Sequence, residues 1–176
     1  VAREIPAGRV DRIIDAGGKY LLPGFIDDQV HFREPGLTHK ATISTESAAA
    51  VAGGITSYMD MPNTIPNVTS RPVLMDKYRL ARGRSHANYS FYFGAANDNL
   101  DEIRGLRPGD CCAVKMFMGS STGNMLVDNP ATLERIFAEC PMLIATHCED
   151  TPMIKANEER FRQQYGDEVP FSAHPQ

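Results

Sequence analysis

Residues 23–31 read PGFIDDQVH and decide the fold. The proline and glycine end the preceding pattern, and the apolar residues after them predict a β-strand that finishes in polar side chains. Residues 42–52 are rich in alanine, stop at Gly53 and Gly54, and predict an α-helix. A strand followed by a helix and then by another strand-like segment is typical of a parallel sheet.

The same alternation continues along the rest of the chain. Strands are predicted over residues 25–31, 57–61, 89–94, 112–118 and 142–147, and helices over residues 42–52, 71–82, 100–106, 131–139 and 152–165. Five strand–helix units favour right-handed crossovers, so we predict an α/β fold. Residues 1–22 do not share this rhythm, and their two short β-like pieces around Gly17 and Gly18 suit a small separate sheet.

The composition is that of a globular protein with a mildly acidic surface. Lys and Arg number 18 against 22 Asp and Glu, which gives a formal charge of −4. Because no basic run is present, we expect no nucleic-acid or membrane-surface partner. No apolar stretch approaches the ~20 residues that span a bilayer, and the first residues do not resemble a signal peptide, so we expect a cytoplasmic protein.

The cysteines do not indicate a disulfide framework. Cys111, Cys112, Cys140 and Cys148 lack the paired spacing of a structural zinc site and are too few for a disulfide scaffold. The adjacent Cys111 and Cys112 would point to opposite faces of a strand, which disfavours a bond between them. We therefore predict reduced thiols.

Polar residues at the predicted strand ends favour a closed barrel over an open sheet. Neither the G-x-G-x-x-G of a dinucleotide fold nor a phosphate-binding loop is present. Instead, polar side chains lie in or directly after the strands: Gln29, His31, Arg33, Asn63, Lys115 and His147. In a (β/α)8 barrel such strand ends converge on one site. That barrel needs eight strands in ~250 residues, so we expect this chain to hold about its first five βα units.

Four of these residues indicate metal chemistry. Gln29 and His31 stand two apart on a strand and would share one face, and His147 ends another strand, although each alone is more often an ordinary polar residue. Lys115 lies in an apolar strand, where a buried cation needs a partner or a lowered pKa. Two interpretations of Lys115 stay open: a salt bridge, or a carbamate formed with carbon dioxide that bridges two metal ions.

Three motifs resemble the dihydroorotases of the amidohydrolase superfamily. They are residues 23–36 (PGFIDDQVHFREPG), 61–64 (MPNT) and 146–149 (THCE). The resemblance extends over residues 20–176. Hydantoinases, dihydropyrimidinases and allantoinases are similar too, but the sequence FREPG after the predicted metal strand favours dihydroorotase.

The resemblance implies an amidohydrolase-type TIM barrel with a small β-sandwich. Residues 23–176 would form the N-terminal portion of the barrel, and residues 1–22 would form part of the sandwich. Two zinc ions are implied: His31 would bind the more buried ion, His147 the outer ion, and carboxylated Lys115 would bridge them.

Two further residues match positions that bind the substrate carboxylate. They are Arg33 and Asn63, and the planar fork of a guanidinium suits a carboxylate well. The alternatives are a surface ion pair between Arg33 and Glu34, and a turn role for Asn63 before Pro66.

The implied reaction is the reversible hydrolysis of dihydroorotate to N-carbamoyl-L-aspartate in de novo pyrimidine biosynthesis. A hydroxide made available by the metals near neutral pH would attack the ring carbonyl. The family also needs an aspartate as general acid/base, which we expect beyond Gln176, so no catalytic acid/base is assigned within this chain. We expect the 176 residues alone to be inactive and the whole protein to be a homo-oligomer acting on a small molecule.

Gln29 is the main departure from the family pattern, because most members have His-x-His where this chain has Gln29-Val30-His31. Glutamine can coordinate through its carbonyl oxygen, whereas zinc prefers an imidazole nitrogen. His174 lies in a loop-like segment and does not match the missing histidine of a later strand. Two alternatives stay open: a hydantoinase- or allantoinase-type hydrolase, and a non-catalytic paralogue with an assembly or regulatory role.

Overall fold

The computed structural model describes Gly8, residues 11–119 and residues 123–173. Strands and helices alternate through this part of the chain. The strands are β1 Phe25–Val30, β2 Ile55–Asp60, β3 Asn88–Phe91, β4 Phe93–Gly94, β5 Val114–Phe117 and β6 Ile144–His147. The helices are α1 Ile43–Ala52, α2 Arg71–Ala81, α3 Leu100–Arg104, α4 Pro130–Glu139 and α5 Thr151–Tyr165, followed by a 3-10 turn at Phe171–Ala173. The five predicted helices are confirmed, as are four of the five predicted strands.

The remaining predicted strand, residues 89–94, is divided into two strands, β3 and β4. β3 pairs with β2, whereas β4 pairs with β5, and the chain changes its partner at Tyr92. The Tyr92 N–H donates to Asp60 O at 3.0 Å, and the next N–H, that of Phe93, donates to Ala113 O at 3.0 Å. One segment therefore joins two three-stranded sheets.

All pairs of neighbouring strands in the two sheets are parallel and follow chain order. The orders are β1-β2-β3 and β4-β5-β6. This arrangement confirms the predicted α/β class with parallel strands. It also brings the carboxyl ends of the strands to the same edge of each sheet, since parallel strands run in one direction.

Local sequence signals explain the helix boundaries. Thr42 caps α1 by accepting from the Thr45 N–H, and Gly53 ends the helix as predicted. Asn129 caps α4 and Asp150 caps α5 with their side-chain oxygens. Each of these residues satisfies backbone donors that a helix leaves unpaired at its start.

An apolar core lies between the strands and the helices. Phe32, directly after β1, packs against Tyr58 of β2 with ring centroids 4.5 Å apart. Helices contribute fully buried side chains to the same core: Ile43, Leu74, Ile103 and Ile136. This packing fixes α1 to α4 on the strands and so fixes the loops that carry polar residues.

The predicted small sheet at residues 1–22 stays a prediction. Residues 11–22 contain a turn at Gly17 and Gly18 and no strand, while residues 1–7, 9 and 10 lie outside the described residues, as does His174. The cysteines are free, as predicted. Among the described helices none combines the length and apolar character needed to cross a bilayer.

Candidate active site

The carboxyl edges of the strands carry the residues that the sequence singles out. His31 directly follows β1, and Asn63 lies three residues after the end of β2. Lys115 lies within β5, and His147 is the last residue of β6. The predicted placement of these residues in or after the strands is therefore correct.

His31 and Asn63 form a direct contact between the loops after β1 and β2. His31 Nδ1 lies 2.9 Å from Asn63 Oδ1. An amide oxygen only accepts, so the imidazole donates from Nδ1 and keeps the lone pair of Nε2 free. The Asn63 amide N–H groups are left to donate elsewhere. The neighbouring Thr64 hydroxyl donates to Pro66 O at 3.0 Å in the same loop, and the turn role of Asn63 stays a prediction.

Arg33 is not paired with the neighbouring carboxylate. Glu34 is buried and binds Arg84 instead, with Oε1 2.9 Å from Nη1. Its other oxygen accepts from the Ile43 N–H at 2.8 Å, at the start of α1. Arg33 has a left-handed backbone with φ of 66°, and no carboxylate of the described residues lies at salt-bridge distance from its guanidinium. The surface-pair alternative is therefore wrong.

Electrostatics show that positive groups surround His31. Its pKa is lowered by burial first and then by the charge of Arg33, with a smaller contribution from Lys115. The hydrogen bond to Asn63 and the charge of Asp60 act in the opposite direction. The lowered pKa favours the neutral imidazole, which is the form that binds metal ions.

Lys115 is a buried amine without a counter-charge. Its residue is 4% exposed, and burial lowers the pKa of the ammonium group. Nζ lies over the Phe117 ring, 5.0 Å from the centroid. No carboxylate within residues 11–119 and 123–173 pairs with it, so an ordinary salt bridge is not what holds this side chain.

His147 lies beside the same aromatic ring. In the β5–β6 pairing His147 is opposite Phe117, and their ring centroids are 5.9 Å apart. Its Nε2 lies 3.2 Å from Glu149 Oε1. Phe117 therefore has the Lys115 amine over its face and the His147 imidazole beside it.

Gln29 lies in an irregular part of β1. The β1–β2 pairing is irregular between Asp27 and Val30, which interrupts the strand alternation at Gln29. Gln29 is exposed, whereas His31 is half-buried. The prediction that Gln29 and His31 share one face of the strand rests on regular alternation of side chains. The irregular pairing leaves that prediction untested.

The candidate side chains include donor atoms of the type that zinc binds. No group of three or more His, Cys, Asp or Glu side chains within the described residues is arranged to hold a metal ion. The Nε2 of His31, the His147 imidazole and the Lys115 amine are nevertheless nitrogen groups carried in or directly after parallel strands. Imidazole nitrogen is a preferred zinc ligand.

Sequence reasoning missed a buried ion pair beneath this site. Lys77 Nζ of α2 lies 2.8 Å from Asp60 Oδ2, and both side chains are fully buried. The available signal was Asp60 itself, a carboxylate that ends the apolar strand β2. A carboxylate at a buried position needs a cationic or hydrogen-bonding partner.

Comparison with known proteins relates this arrangement to a family. Residues 18–96 match the family described as dihydro-orotase-like. The chain is 40% identical over 157 residues to a dihydroorotase of Methanosarcina acetivorans, an alignment that covers 87% of this chain and 33% of that relative. The resemblance to dihydroorotases seen in the sequence is therefore confirmed, by the family match over residues 18–96 and by this relative over most of the chain.

Two further proteins that are similar to this chain are an allantoinase and an L-hydantoinase. An allantoinase of Streptomyces avermitilis is 34% identical over 169 residues, covering 93% of this chain and 38% of the relative. A solved structure of L-hydantoinase from Arthrobacter aurescens matches with a TM-score of 0.74 and 31% identity, over 87% of this chain and 35% of that one. The chain thus spans 33% to 38% of the length of the curated relatives named above.

The two buried lysines of this chain should respond oppositely to the same substitution. Lys77→Met leaves Asp60 buried and unpaired, so we expect the free energy of unfolding to fall by about 3–5 kcal/mol. Lys115→Met removes a desolvated amine that has no carboxylate partner, so we expect a change within about 1 kcal/mol, in the stabilising direction. Urea unfolding of the metal-free chain measures both.

The exposed Lys155 provides the control, since Lys155→Met should alter the free energy of unfolding by less than about 0.5 kcal/mol. Equal losses for Lys77→Met and Lys115→Met would show that the two amines occupy equivalent environments, against the contacts described above.

Proposed function

We propose that this chain is part of a dihydroorotase, which hydrolyses dihydroorotate reversibly to N-carbamoyl-L-aspartate in pyrimidine biosynthesis. The main support for this proposal is that His31, Asn63 and the unpaired guanidinium of Arg33 lie near one another after the carboxyl ends of parallel strands. The dihydroorotase relative at 40% identity supports the same substrate class. The protein would act in the cytoplasm as a homo-oligomer.

The proposed architecture is the amidohydrolase-type (β/α)8 barrel. Residues 23–176 would supply its first five βα units, and residues 1–22 would belong to a small β-sandwich. Parallel strands in chain order support this proposal, because a barrel of this type is built in that order.

Zinc is the proposed metal. His31 would bind it through Nε2, the atom that the bond to Asn63 leaves free, and His147 would bind a second ion after releasing Glu149. Bound zinc would supply a Lewis acid and lower the pKa of a coordinated water. The aspartate that moves the proton to the leaving nitrogen is not assigned within this chain.

Lys115 is proposed to become a carbamate. Burial favours its neutral amine, the form whose nitrogen adds to carbon dioxide. The new N–C bond forms with loss of one proton, and the product is an anion with two oxygen donors. Burying the unpaired ammonium group of Lys115 is costly, whereas the carbamate would be an anion that bound metal ions could neutralise.

Arg33 and Asn63 are proposed to hold the substrate carboxylate. The guanidinium of Arg33 is half-buried and offers a planar pair of donors. Asn63 points its oxygen at His31 and retains its amide N–H groups for an anion. A ring with a carboxylate substituent would be oriented by both, which distinguishes dihydroorotate from hydantoin rings that lack this group.

A non-catalytic paralogue is the second candidate, and Gln29 is the observation that favours it. The residue that would complete the buried metal position is an exposed amide on an irregular strand segment. The similarity to an allantoinase and an L-hydantoinase keeps a related hydrolase as the remaining alternative.

Substitution of Lys115 should change the zinc content, whereas substitution of Arg33 should change only substrate binding. Lys115→Ala should abolish zinc retention and turnover, because it removes the proposed bridging ligand. Arg33→Ala should keep the zinc content and raise KM at least tenfold, because only the carboxylate contact is lost. Elemental analysis and steady-state kinetics measure these effects in the whole protein of which this chain is proposed to be a part. Wild-type zinc content in Lys115→Ala would contradict the bridging role, and zinc loss in Arg33→Ala would contradict the role of Arg33.

Gln29→His should increase the zinc stoichiometry. An imidazole two residues before His31 adds the donor that zinc prefers over an amide oxygen. We expect tighter zinc retention on dialysis against a chelator and a higher kcat. Gln29→Asn is the matched control and should resemble the wild type. A Gln29→His protein that retains no more zinc than Gln29→Asn would favour the non-catalytic paralogue.

A further inference from the structure

The buried ion pair of Asp60 and Lys77 connects three elements that meet beneath the site. Asp60 ends β2, and Lys77 lies in the middle of α2. The Asp60 carboxylate and the Lys77 ammonium are completely shielded from solvent. Backbone groups of the loops after β1 and β2 also contact the pair.

Asp60 fixes the loop after β1. Its Oδ1 accepts from the Phe32 N–H at 2.9 Å, while Oδ2 faces Lys77 Nζ at 2.8 Å. Phe32 is the residue next to His31, so the carboxylate determines where the backbone places the imidazole. The Phe32 ring packs against Tyr58, two residues before Asp60, which adds an apolar contact to the same junction.

Lys77 fixes the loop after β2. Its Nζ donates to Met61 O at 2.8 Å, and Met61 lies two residues before Asn63. The Phe91 ring covers the ammonium from another direction, with its centroid 4.9 Å from Nζ. Carboxylate, carbonyl and ring occupy three directions around one ammonium group, so its position is closely restricted.

The energetics of the Asp60–Lys77 pair favour a role in positioning the loops over a role in stabilising the fold. Burial lowers the pKa of Lys77 and the charge of Asp60 opposes that shift, so the ion pair mainly offsets the desolvation of its own members. Well-packed apolar side chains of similar volume often replace such pairs without loss of stability. What an apolar pair lacks is the acceptor for Phe32 N–H and the donor for Met61 O.

We propose that Asp60 and Lys77 are positioning residues that align His31 with Asn63. By anchoring one backbone group in each loop, the pair brings His31 Nδ1 to Asn63 Oδ1 and holds the imidazole in the tautomer whose Nε2 faces outward. The zinc part of this inference rests on the proposed function. The alignment of His31 does not, because it concerns the metal-free protein.

The test compares the double variant Asp60→Leu/Lys77→Met with Leu74→Ala. The double variant removes both charges and keeps apolar volume, whereas Leu74→Ala removes core packing from the same helix and leaves Asp60 and Lys77 unchanged. Two-bond ¹H–¹⁵N correlation spectra of the metal-free protein report the tautomer of each of its 5 histidines. His31→Gln assigns the signal of His31.

We expect the double variant to unfold cooperatively but to lose the single Nδ1–H tautomer of His31. Leu74→Ala should be destabilised and keep that tautomer. Zinc affinity, measured by chelator competition, should fall at least tenfold in the double variant only. Retention of the wild-type tautomer in a folded double variant would overturn the proposal, as would loss of the tautomer in Leu74→Ala.

Lys77→Gln is the second variant and decides the question if the double variant does not fold. Its amide nitrogen ends one bond short of the position of Lys77 Nζ, so this variant loses both the charge and the 2.8 Å hydrogen bond to Met61 O. We expect a mixture of His31 tautomers, and a wild-type spectrum would overturn the proposal. Absence of zinc binding in the wild-type protein would overturn the proposed function alone, because the tautomer measurement needs no metal.

Discussion

A buried charge must be satisfied on every side, and the Asp60–Lys77 pair imposes this constraint on the loops that follow β1 and β2. One carboxylate oxygen takes the Phe32 N–H, and the ammonium takes the Met61 carbonyl. Neither loop can move far without leaving a polar group unpaired in the core, which is costly. The contact between His31 and Asn63 depends on both loops and therefore on this constraint.

Two lysines with similar burial show how surroundings set the role of a side chain. Lys77 is enclosed by a carboxylate, a carbonyl and an aromatic ring, and the charge of Asp60 opposes the lowering of its pKa by burial. Lys115 has the ring of Phe117 and no carboxylate partner in the described chain, so no carboxylate opposes the lowering of its pKa by burial. Unpaired buried titratable groups are characteristic of functional sites, whereas paired ones are also common in structural networks.

Much of the fold was predictable because its signals are local. Thr42, Asn129 and Asp150 cap helices from within their own segments, and the apolar strand patterns are short and regular. The break at Tyr92 and the irregularity near Gln29 were not predictable, because both depend on which strand lies alongside. The positions of His31 and His147 at the ends of strands followed from local patterns, but the pairing of Glu34 with Arg84 joins residues 50 apart and has no local signal.

The exposed position of Gln29 affects how this residue can change during evolution of the fold. No hydrogen bond from its side chain to the described residues would be lost on exchange, and the irregular strand segment already accommodates its backbone. A histidine and a glutamine can therefore be interchanged there at little thermodynamic penalty. Selection for a stable fold would not oppose the exchange, so a lineage could give up or regain a ligand while its architecture stayed the same.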